Sequence, residues 1–117
     1  MLSFYYLKNC STCKRILKEL DISNIANLID IKNNPLNKKK LELLKSLSGS
    51  YEVLFSKKAQ LFNKRELKGQ NLSEDDFKKL ILEHYTFLKR PVLVVDKKIF
   101  IGNSPKVVEQ AKNIING

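Results

Sequence analysis

The sequence contains only two cysteines and one histidine, and it has no long run of apolar residues. A transmembrane helix needs about 20 consecutive apolar residues, so we expect no membrane span. No positively charged segment precedes the apolar start of the chain and no small-residue cleavage site follows it, so a secretory signal is not expected. Together with the sparse cysteines, these absences predict a cytoplasmic protein. The 117 residues are enough for one compact domain over residues 1–117.

Acidic residues are also scarce. The sequence has 12 Asp and Glu residues and 22 Lys and Arg residues, which gives a formal net charge of +10. This charge favours an anionic substrate or partner. Most of the basic residues are lysines in helical stretches, where lysines usually form a solvated face, and aromatic residues do not alternate with arginines. We therefore expect no direct binding of nucleic acid.

Hydrophobic patterning predicts a βαβ unit at the start of the chain. Residues 2–7 form an apolar, aromatic-rich run typical of a buried strand, and residues 13–20 place apolar side chains on one face of a helix. Residues 25–31 form a second apolar run. Two strands joined through a helix are expected to pair in parallel, with a right-handed crossover.

Helical patterns dominate the middle of the chain. We expect a helix over residues 37–47 that ends at Gly49, one or two short helices over residues 52–67, and a further helix that begins after Ser73. The short helices would be anchored by Val53, Leu54, Leu61 and Phe62. These segments form a predicted helical insertion at roughly residues 36–86.

The last part of the sequence predicts a β-hairpin and a final helix. Pro91 precedes a β-branched run at 92–95, a turn at 96–98 and a second run at 99–101, and an amphipathic pattern follows Ser104. The element order therefore predicts an α/β fold. Its four-stranded mixed sheet is built from a βαβ unit and a ββα unit, with helices packed against it.

The two cysteines, Cys10 and Cys13, lie three apart between the first strand and the first helix. Ser11 or Thr12 is expected to cap that helix. Free backbone N–H groups and the helix dipole favour negative charge at this position, so Cys10 is predicted to be a thiolate at neutral pH. Cys13, one turn further on, is placed to attack an adduct formed on Cys10. Further positive charge would come from Lys8, Lys14 and Arg15.

The cysteine pair is also consistent with two structural roles. Cys13 falls on the apolar stripe of the helix and is about equally consistent with a small core residue. A CxxC pair can form half of a zinc site, but His84 is the one other strong ligand in the sequence, so no metal site is predicted. We expect His84 itself to be partly buried and hydrogen-bonded.

Arg90 and Pro91 open the predicted hairpin. An X-Pro bond before a buried strand is a candidate cis peptide, and a trans proline is the alternative. Arg90 presents a planar guanidinium suited to an oxyanion, or it is a solvated arginine beside Lys89. The residues alone favour the solvated arginine.

Three segments, KNCSTCKRIL, FSKKAQLF and FLKRPVLVVDKKIFIGN, resemble in order and spacing the arsenate reductase and Spx family of thioredoxin-like proteins. The resemblance covers nearly the whole chain. It implies a thioredoxin- or glutaredoxin-like fold with a helical insertion, a cis proline at Pro91 and an anion site beside a nucleophilic cysteine.

The resemblance also implies roles for individual residues. Cys10 matches the family's catalytic or redox-sensing cysteine, and Arg90 matches the arginine before the cis proline. Two other positions of the arginine trio in glutaredoxin-dependent arsenate reductases hold Lys58 and Asn103 here. Those enzymes also lack a cysteine at the position of Cys13, whereas Spx-type regulators have one. The residues expected to bind substrate are Lys58, Arg90, Pro91, Ser11 and Thr12.

Two functions follow from the resemblance. The one we favour is a cytoplasmic thiol-disulfide oxidoreductase without a bound cofactor, in which Cys10 attacks an oxyanion or an oxidised thiol. Cys13 or glutathione would resolve the adduct, and glutathione, glutaredoxin or thioredoxin would be the reductant. The alternative is an Spx-like transcriptional regulator that is switched by a disulfide between Cys10 and Cys13. It would bind the RNA polymerase α subunit through a region that includes Gly49.

Overall fold

The structure, a computed structural model, describes residues 2–117 and confirms the predicted α/β architecture. The chain divides into two compact units. Residues up to Asn34 form one unit together with Arg90–Gly117, and Pro35–Lys89 form the other. We call them the sheet unit and the helical unit. Residues 2–117 include no helix that is both long enough and apolar enough to cross a bilayer.

The sheet unit contains a four-stranded mixed sheet in the order β2-β1-β3-β4. Its strands are β1 (Leu2–Tyr6), β2 (Asn27–Asp30), β3 (Val92–Val95) and β4 (Lys98–Ile101). Strand β1 pairs with β2 in parallel and with β3 antiparallel, and β3 and β4 form the hairpin. The predicted parallel pair and hairpin are confirmed. The hairpin turn is one residue shorter than expected, because Lys98 already belongs to β4.

Helices α1 (Ser11–Leu20) and α6 (Pro105–Asn116) pack together and share an apolar core with side chains of the sheet. Phe4 of β1 is fully buried at its centre. Burial of a phenylalanine contributes about 1.5–3 kcal/mol, so this side chain fixes the face of the sheet on which the helices lie. The buried members of the core are Phe4, Tyr6, Cys13, Ile16, Leu20, Ile22, Leu93, Val108 and Ala111.

Two apolar residues lie outside the core, contrary to the sequence-based expectation. Ile25, predicted within the second strand, is 65% exposed. A turn precedes β2 here, in which the N–H of Ala26 donates to the carbonyl of Ile22 over 2.8 Å. Val53, predicted as an anchor of the middle helices, is 43% exposed, whereas its neighbour Leu54 is fully buried.

The helical unit has four helices and one turn of 3-10 helix. They are α2 (Lys38–Ser48), α3 (Tyr51–Leu54), α4 (Gln60–Lys64), α5 (Glu74–Glu83) and the 3-10 helix Tyr85–Phe87. Gly49 ends α2 with a φ of 100°, in the left-handed region that favours glycine, as predicted. Ser73 caps α5, and Asp76 completes a capping box with it.

An aromatic cluster forms the centre of the helical unit. The ring of Phe55 is 1% exposed and contacts the rings of Phe62, Phe77 and Phe87, with centroid separations of 5.9, 4.8 and 5.2 Å. Aromatic rings at these separations attract one another beyond the area they bury. The cluster links four helical segments, because Phe55 directly follows α3, Phe62 lies in α4, Phe77 lies in α5 and Phe87 lies in the 3-10 helix.

Candidate functional site

Cys10 lies at the junction between β1 and α1. Its N–H donates to the carbonyl of Leu7 over 3.1 Å, which turns the chain after the strand. Its own carbonyl accepts the N–H of Lys14 over 3.0 Å, the first hydrogen bond of the helix. Cys10 therefore stands at the N-cap, with φ of −87° and ψ of 112°.

The sulfur of Cys10 caps α1. The backbone N–H of Cys13 donates to Sγ of Cys10 over 3.4 Å, so a sulfur atom satisfies an N–H group that the helix leaves free. The expectation that Ser11 or Thr12 caps the helix is wrong, because both residues already lie in its first turn. Ser11 is exposed and Thr12 is half-buried there.

The surroundings of Cys10 favour its thiolate. Partial burial raises the pKa of the Cys10 thiol, but hydrogen bonds from Cys13 and from the backbone N–H of Thr12 lower it. The positive charge of Arg90 lowers it further, and the net result is a pKa below the ordinary cysteine value. A thiolate is the nucleophilic form of cysteine, and a lowered pKa increases the fraction of Cys10 in that form.

Cys13 has the opposite environment. Its side chain is fully buried in the core between α1 and the sheet. Burial raises the pKa of the Cys13 thiol to about 11, and the neighbouring Cys10 contributes to the rise. The core position considered from the sequence is thus confirmed for Cys13. Cys13 also lies beside Cys10, because its backbone N–H donates to the Cys10 sulfur. A core position is therefore compatible with the predicted attack of Cys13 on an adduct formed on Cys10.

Arg90 and Pro91 are joined by a cis peptide bond, as predicted. Pro91 is buried, and its carbonyl accepts the N–H of Gly102 over 2.9 Å at the end of the hairpin. Arg90 is half-buried, and its charge acts on both cysteines. Arg90 is therefore partly exposed to solvent, and its role in anion binding stays a prediction.

The remaining basic residues considered from the sequence lie on the surface. Lys8, Lys14 and Arg15 are exposed around the cysteine junction. Lys58 is exposed in a turn of the helical unit, between α3 and α4, and its role in substrate binding stays a prediction. Asn103 is exposed in the sheet unit after β4, where it supplies no charge.

His84 ends α5 and is half-buried and hydrogen-bonded, as expected. Its Nδ1 lies 2.8 Å from Oγ1 of Thr86, and its ring stacks on Tyr85 with 4.6 Å between the centroids. Within residues 2–117, no group of three or more His, Cys, Asp or Glu side chains is arranged to hold a metal ion.

The sequence profile described as "ArsC family" matches residues 5–111 of this chain. The Global transcriptional regulator Spx 2 of Bacillus anthracis is 29% identical, over 87% of this chain and 79% of its own length. A solved structure described as an arsenate reductase (ArsC) related protein from Brucella melitensis is 26% identical, with a TM-score of 0.72, and covers 93% of this chain and 92% of its own.

The arsenate reductase from Vibrio cholerae has a structure that aligns with a TM-score of 0.78 over 93% of this chain and 95% of its own. At 21% identity, this second structural match bears on the fold alone. The fold is thioredoxin-like, as the resemblance implied. The family profile spans both the cysteine junction and the Arg90–Pro91 bond. The chain belongs to the ArsC family.

Proposed function

We propose that this protein is a thiol-disulfide oxidoreductase in which Cys10 is the nucleophile. The observation that supports the proposal is the position of its sulfur, which accepts the N–H of Cys13 at the start of α1. That hydrogen bond and the charge of Arg90 lower the pKa of the Cys10 thiol. Because Cys10 is only half-buried, its sulfur is open to a small oxidised substrate.

An oxyanion such as arsenate is the first substrate class. The Cys10 thiolate attacks the arsenic atom and forms a sulfur–arsenic bond, while one arsenate oxygen is protonated and leaves as water. A second thiol then attacks the Cys10 sulfur and forms a disulfide. The electron pair of the sulfur–arsenic bond stays on arsenic, so arsenate is reduced to arsenite and two thiols are oxidised.

An oxidised thiol is the second substrate class. Cys10 attacks one sulfur of the substrate disulfide, forms a mixed disulfide and releases the first thiol. The negative charge of Cys10 is lost in the mixed disulfide, which removes one of the smaller causes that raise the pKa of Cys13, whereas burial, the largest cause, remains. In the second step, Cys13 attacks the Cys10 sulfur, and its proton passes to the departing second thiol. Glutathione, glutaredoxin or thioredoxin would reduce the resulting Cys10–Cys13 disulfide.

Arg90 is proposed to hold the anionic substrate, because a half-buried guanidinium offers a planar pair of donors to an oxyanion. Ser11, Thr12 and Pro91 are the proposed neighbours of that anion in the sheet unit. Lys58 is also proposed to bind the substrate, and it would supply charge without the planar fork of an arginine.

Two measurements on the protein, its intact mass and its turnover, test this proposal. The reduced protein is incubated with arsenate and glutathione, its intact mass is measured, and turnover is then assayed with a glutaredoxin or thioredoxin system. We expect a Cys10 adduct or a disulfide, with turnover that Cys10→Ser abolishes and that Lys18→Gln, an exposed position in the last turn of α1, retains. Wild-type protein that forms neither product, with arsenate or with a disulfide substrate, would show that the proposal is wrong.

A second function is favoured by a separate observation, the 29% identity to a protein named as a global transcriptional regulator. The buried Cys13 beside Cys10 would then form a redox switch, and the partner would be the RNA polymerase α subunit. Purified α subunit is mixed with the reduced and the oxidised protein in a pull-down. Absence of binding in both states removes this function, whereas redox-dependent binding without turnover supports it.

A further inference from the structure

The helical unit contains a cleft of about 560 Å³ that the proposed thiol chemistry does not use. Clefts of about 300–1,000 Å³ are the usual size of small-molecule sites. The residues that line it lie between Glu52 and Phe77, and none of the residues assigned to the thiol chemistry is among them. Its floor, wall and rim differ in chemistry, and together they define the ligand that would fit.

The floor of the cleft is aromatic and firmly held. Phe62 and Phe77 line it, although each is at least nine-tenths buried. Both rings contact Phe55, and Phe55 in turn stacks on Phe87. Because the rings are fixed from behind, the small part of each ring that faces the cleft is preformed, and Leu67 and Leu72 extend this apolar lining.

The wall of the cleft is an irregular segment after α4, and its own hydrogen bonds hold it in place. The N–H of Leu67 donates to the carbonyl of Phe62 over 3.0 Å, and the N–H of Gln70 donates to the carbonyl of Leu67 over 3.1 Å. The side-chain amide of Gln70 also donates to the carbonyl of Glu66 over 2.9 Å. These bonds bring the partly buried Leu67 and Leu72 against the cleft.

The rim of the cleft has an excess of positive charge. Lys57 pairs with Glu52, with 3.1 Å between the ammonium nitrogen and the carboxylate oxygen, and lies 5.9 Å from the centre of the Phe77 ring. Lys68 also lines the cleft, and it forms no ion pair within residues 2–117. The one carboxylate among the lining residues, that of Glu52, therefore pairs with Lys57, and Lys68 supplies the positive charge that is not balanced within the cleft.

We propose that this cleft binds a small organic anion with a flat aromatic body, of the class of aromatic carboxylates. The ring of the ligand lies against Phe62 and Phe77, where it is removed from water. Its carboxylate pairs with Lys68 at the rim, and the side-chain amides of Asn63 and Asn71 offer further hydrogen-bond donors. The site is independent of the cysteine junction and of its redox chemistry.

The test is a titration of the full chain with 2-naphthoate, followed by amide chemical shifts in two-dimensional NMR. We expect saturable shifts among residues 52–77. A neutral probe of the same shape, 2-naphthalenemethanol, should bind about threefold more weakly, which is the scale of one exposed ion pair. The variant Lys68→Gln should weaken naphthoate binding by a similar factor. Lys64→Gln, which removes an exposed charge of α4 outside the cleft, should leave it unchanged.

Three results would overturn this proposal. The first is the absence of saturable shifts with 2-naphthoate, or shifts confined to residues outside 52–77. The second is equal affinity for the acid and the neutral alcohol. The third is unchanged naphthoate affinity in Lys68→Gln, whose NMR spectrum also reports whether the variant is folded. None of these results bears on the reactivity of Cys10.

Discussion

The backbone N–H of Cys13 donates a hydrogen bond to the Cys10 sulfur over 3.4 Å, so the two cysteines are joined at the start of α1 before any disulfide forms. Their side chains differ in every other respect. Cys10 is half-buried with a lowered pKa, whereas Cys13 is fully buried with a pKa raised to about 11. The pair therefore places a thiol with a lowered pKa beside a thiol with a raised pKa, and the proposed two-step thiol exchange uses them in that order.

Replacement of Arg90 should make Cys10 less acidic and should slow the proposed reaction. Arg90→Gln removes a charge that lowers the pKa of the Cys10 thiol, so that pKa should rise. Turnover of an oxyanion should fall by about tenfold or more, since a hydrogen bond to a charged group contributes roughly 1.5–3 kcal/mol. The pH dependence of alkylation and kcat/KM measure the two effects.

A second variant separates charge from geometry at Arg90, and a third variant, on α1, serves as a control. Arg90→Lys keeps the charge without the planar fork, so it should restore the low pKa of Cys10 but only part of the turnover. Lys18→Gln removes an exposed charge from the far end of α1 and should change neither quantity. An Arg90→Gln variant whose Cys10 titrates like that of the wild type would contradict the role of this charge.

Removal of the Cys13 side chain should prevent the internal disulfide and raise the pKa of Cys10 only in part. Cys13→Ala keeps the backbone N–H that donates to the Cys10 sulfur, which is the main hydrogen bond that lowers the pKa of Cys10, and it loses the weaker hydrogen bond from the Cys13 side chain. With oxidised glutathione, this variant should accumulate a mixed disulfide between Cys10 and glutathione, whereas wild type should release reduced glutathione and lose two hydrogens as Cys10 and Cys13 join. Intact mass distinguishes these products. Accumulation of the same mixed disulfide by wild type, without the internal disulfide, would contradict a resolving role for Cys13.

The two thiols should affect stability in opposite directions as pH changes. The pKa of Cys10 is lowered by folding, so its ionisation contributes stability above the unfolded pKa of about 8.5, and this contribution is lost as pH falls through the folded value. The pKa of Cys13 is raised to about 11, so its contribution is present below about 8.5 and is lost as pH rises toward 11.

Urea unfolding between pH 8.5 and pH 11 tests this expectation. Over that range, the free energy of unfolding should fall less steeply in Cys13→Ala than in wild type, because the variant has no buried thiol to ionise. Lysines and tyrosines titrate in the same range, but they are common to both proteins. Parallel curves would mean that burial does not perturb Cys13.

Gly49 should tolerate substitution only at a cost in backbone strain. Its φ of 100° lies in the left-handed region, and a Cβ atom there would meet no other atom within 4 Å. Gly49→Ala should therefore destabilise the protein by about 1 kcal/mol, and Gly49→Asn by less, because asparagine tolerates this conformation better. Urea unfolding measures both variants. A larger loss for asparagine than for alanine would contradict a purely conformational role.

Much of the sheet unit could be predicted because local patterns and chain connectivity agree there. The apolar runs, the βαβ order and the Arg90–Pro91 bond together determine which strands pair. The cap of α1 could not be predicted from residue preference, which favours Ser11 or Thr12 over cysteine. The identity of the N-cap residue depends on where the turn after β1 ends. The N–H of Cys10 donates to the carbonyl of Leu7 in that turn, and Cys10 is the last residue with an extended backbone before α1.

The packing of the helical unit and the position of the Arg90 charge near Cys10 depend on tertiary contacts that no local sequence pattern encodes. Val53 fits an apolar face, but a four-residue helix buries only part of its surface, and Leu54 occupies the interior instead. Arg90 looked solvated beside Lys89, and only the fold shows that its charge acts on Cys10. The cleft is formed by a segment without periodicity, so the sequence offered no sign of it.

The acidity of the Cys10 thiol, on which the proposed chemistry depends, is measured by its rate of alkylation with iodoacetamide as a function of pH, with the labelled residue identified by mass. We expect labelling of Cys10 but not of Cys13 in the native protein, with a midpoint below that of the same cysteine in the urea-unfolded protein. A Cys10 that titrates at or above that value, like an ordinary exposed cysteine, would show that the junction does not activate its sulfur.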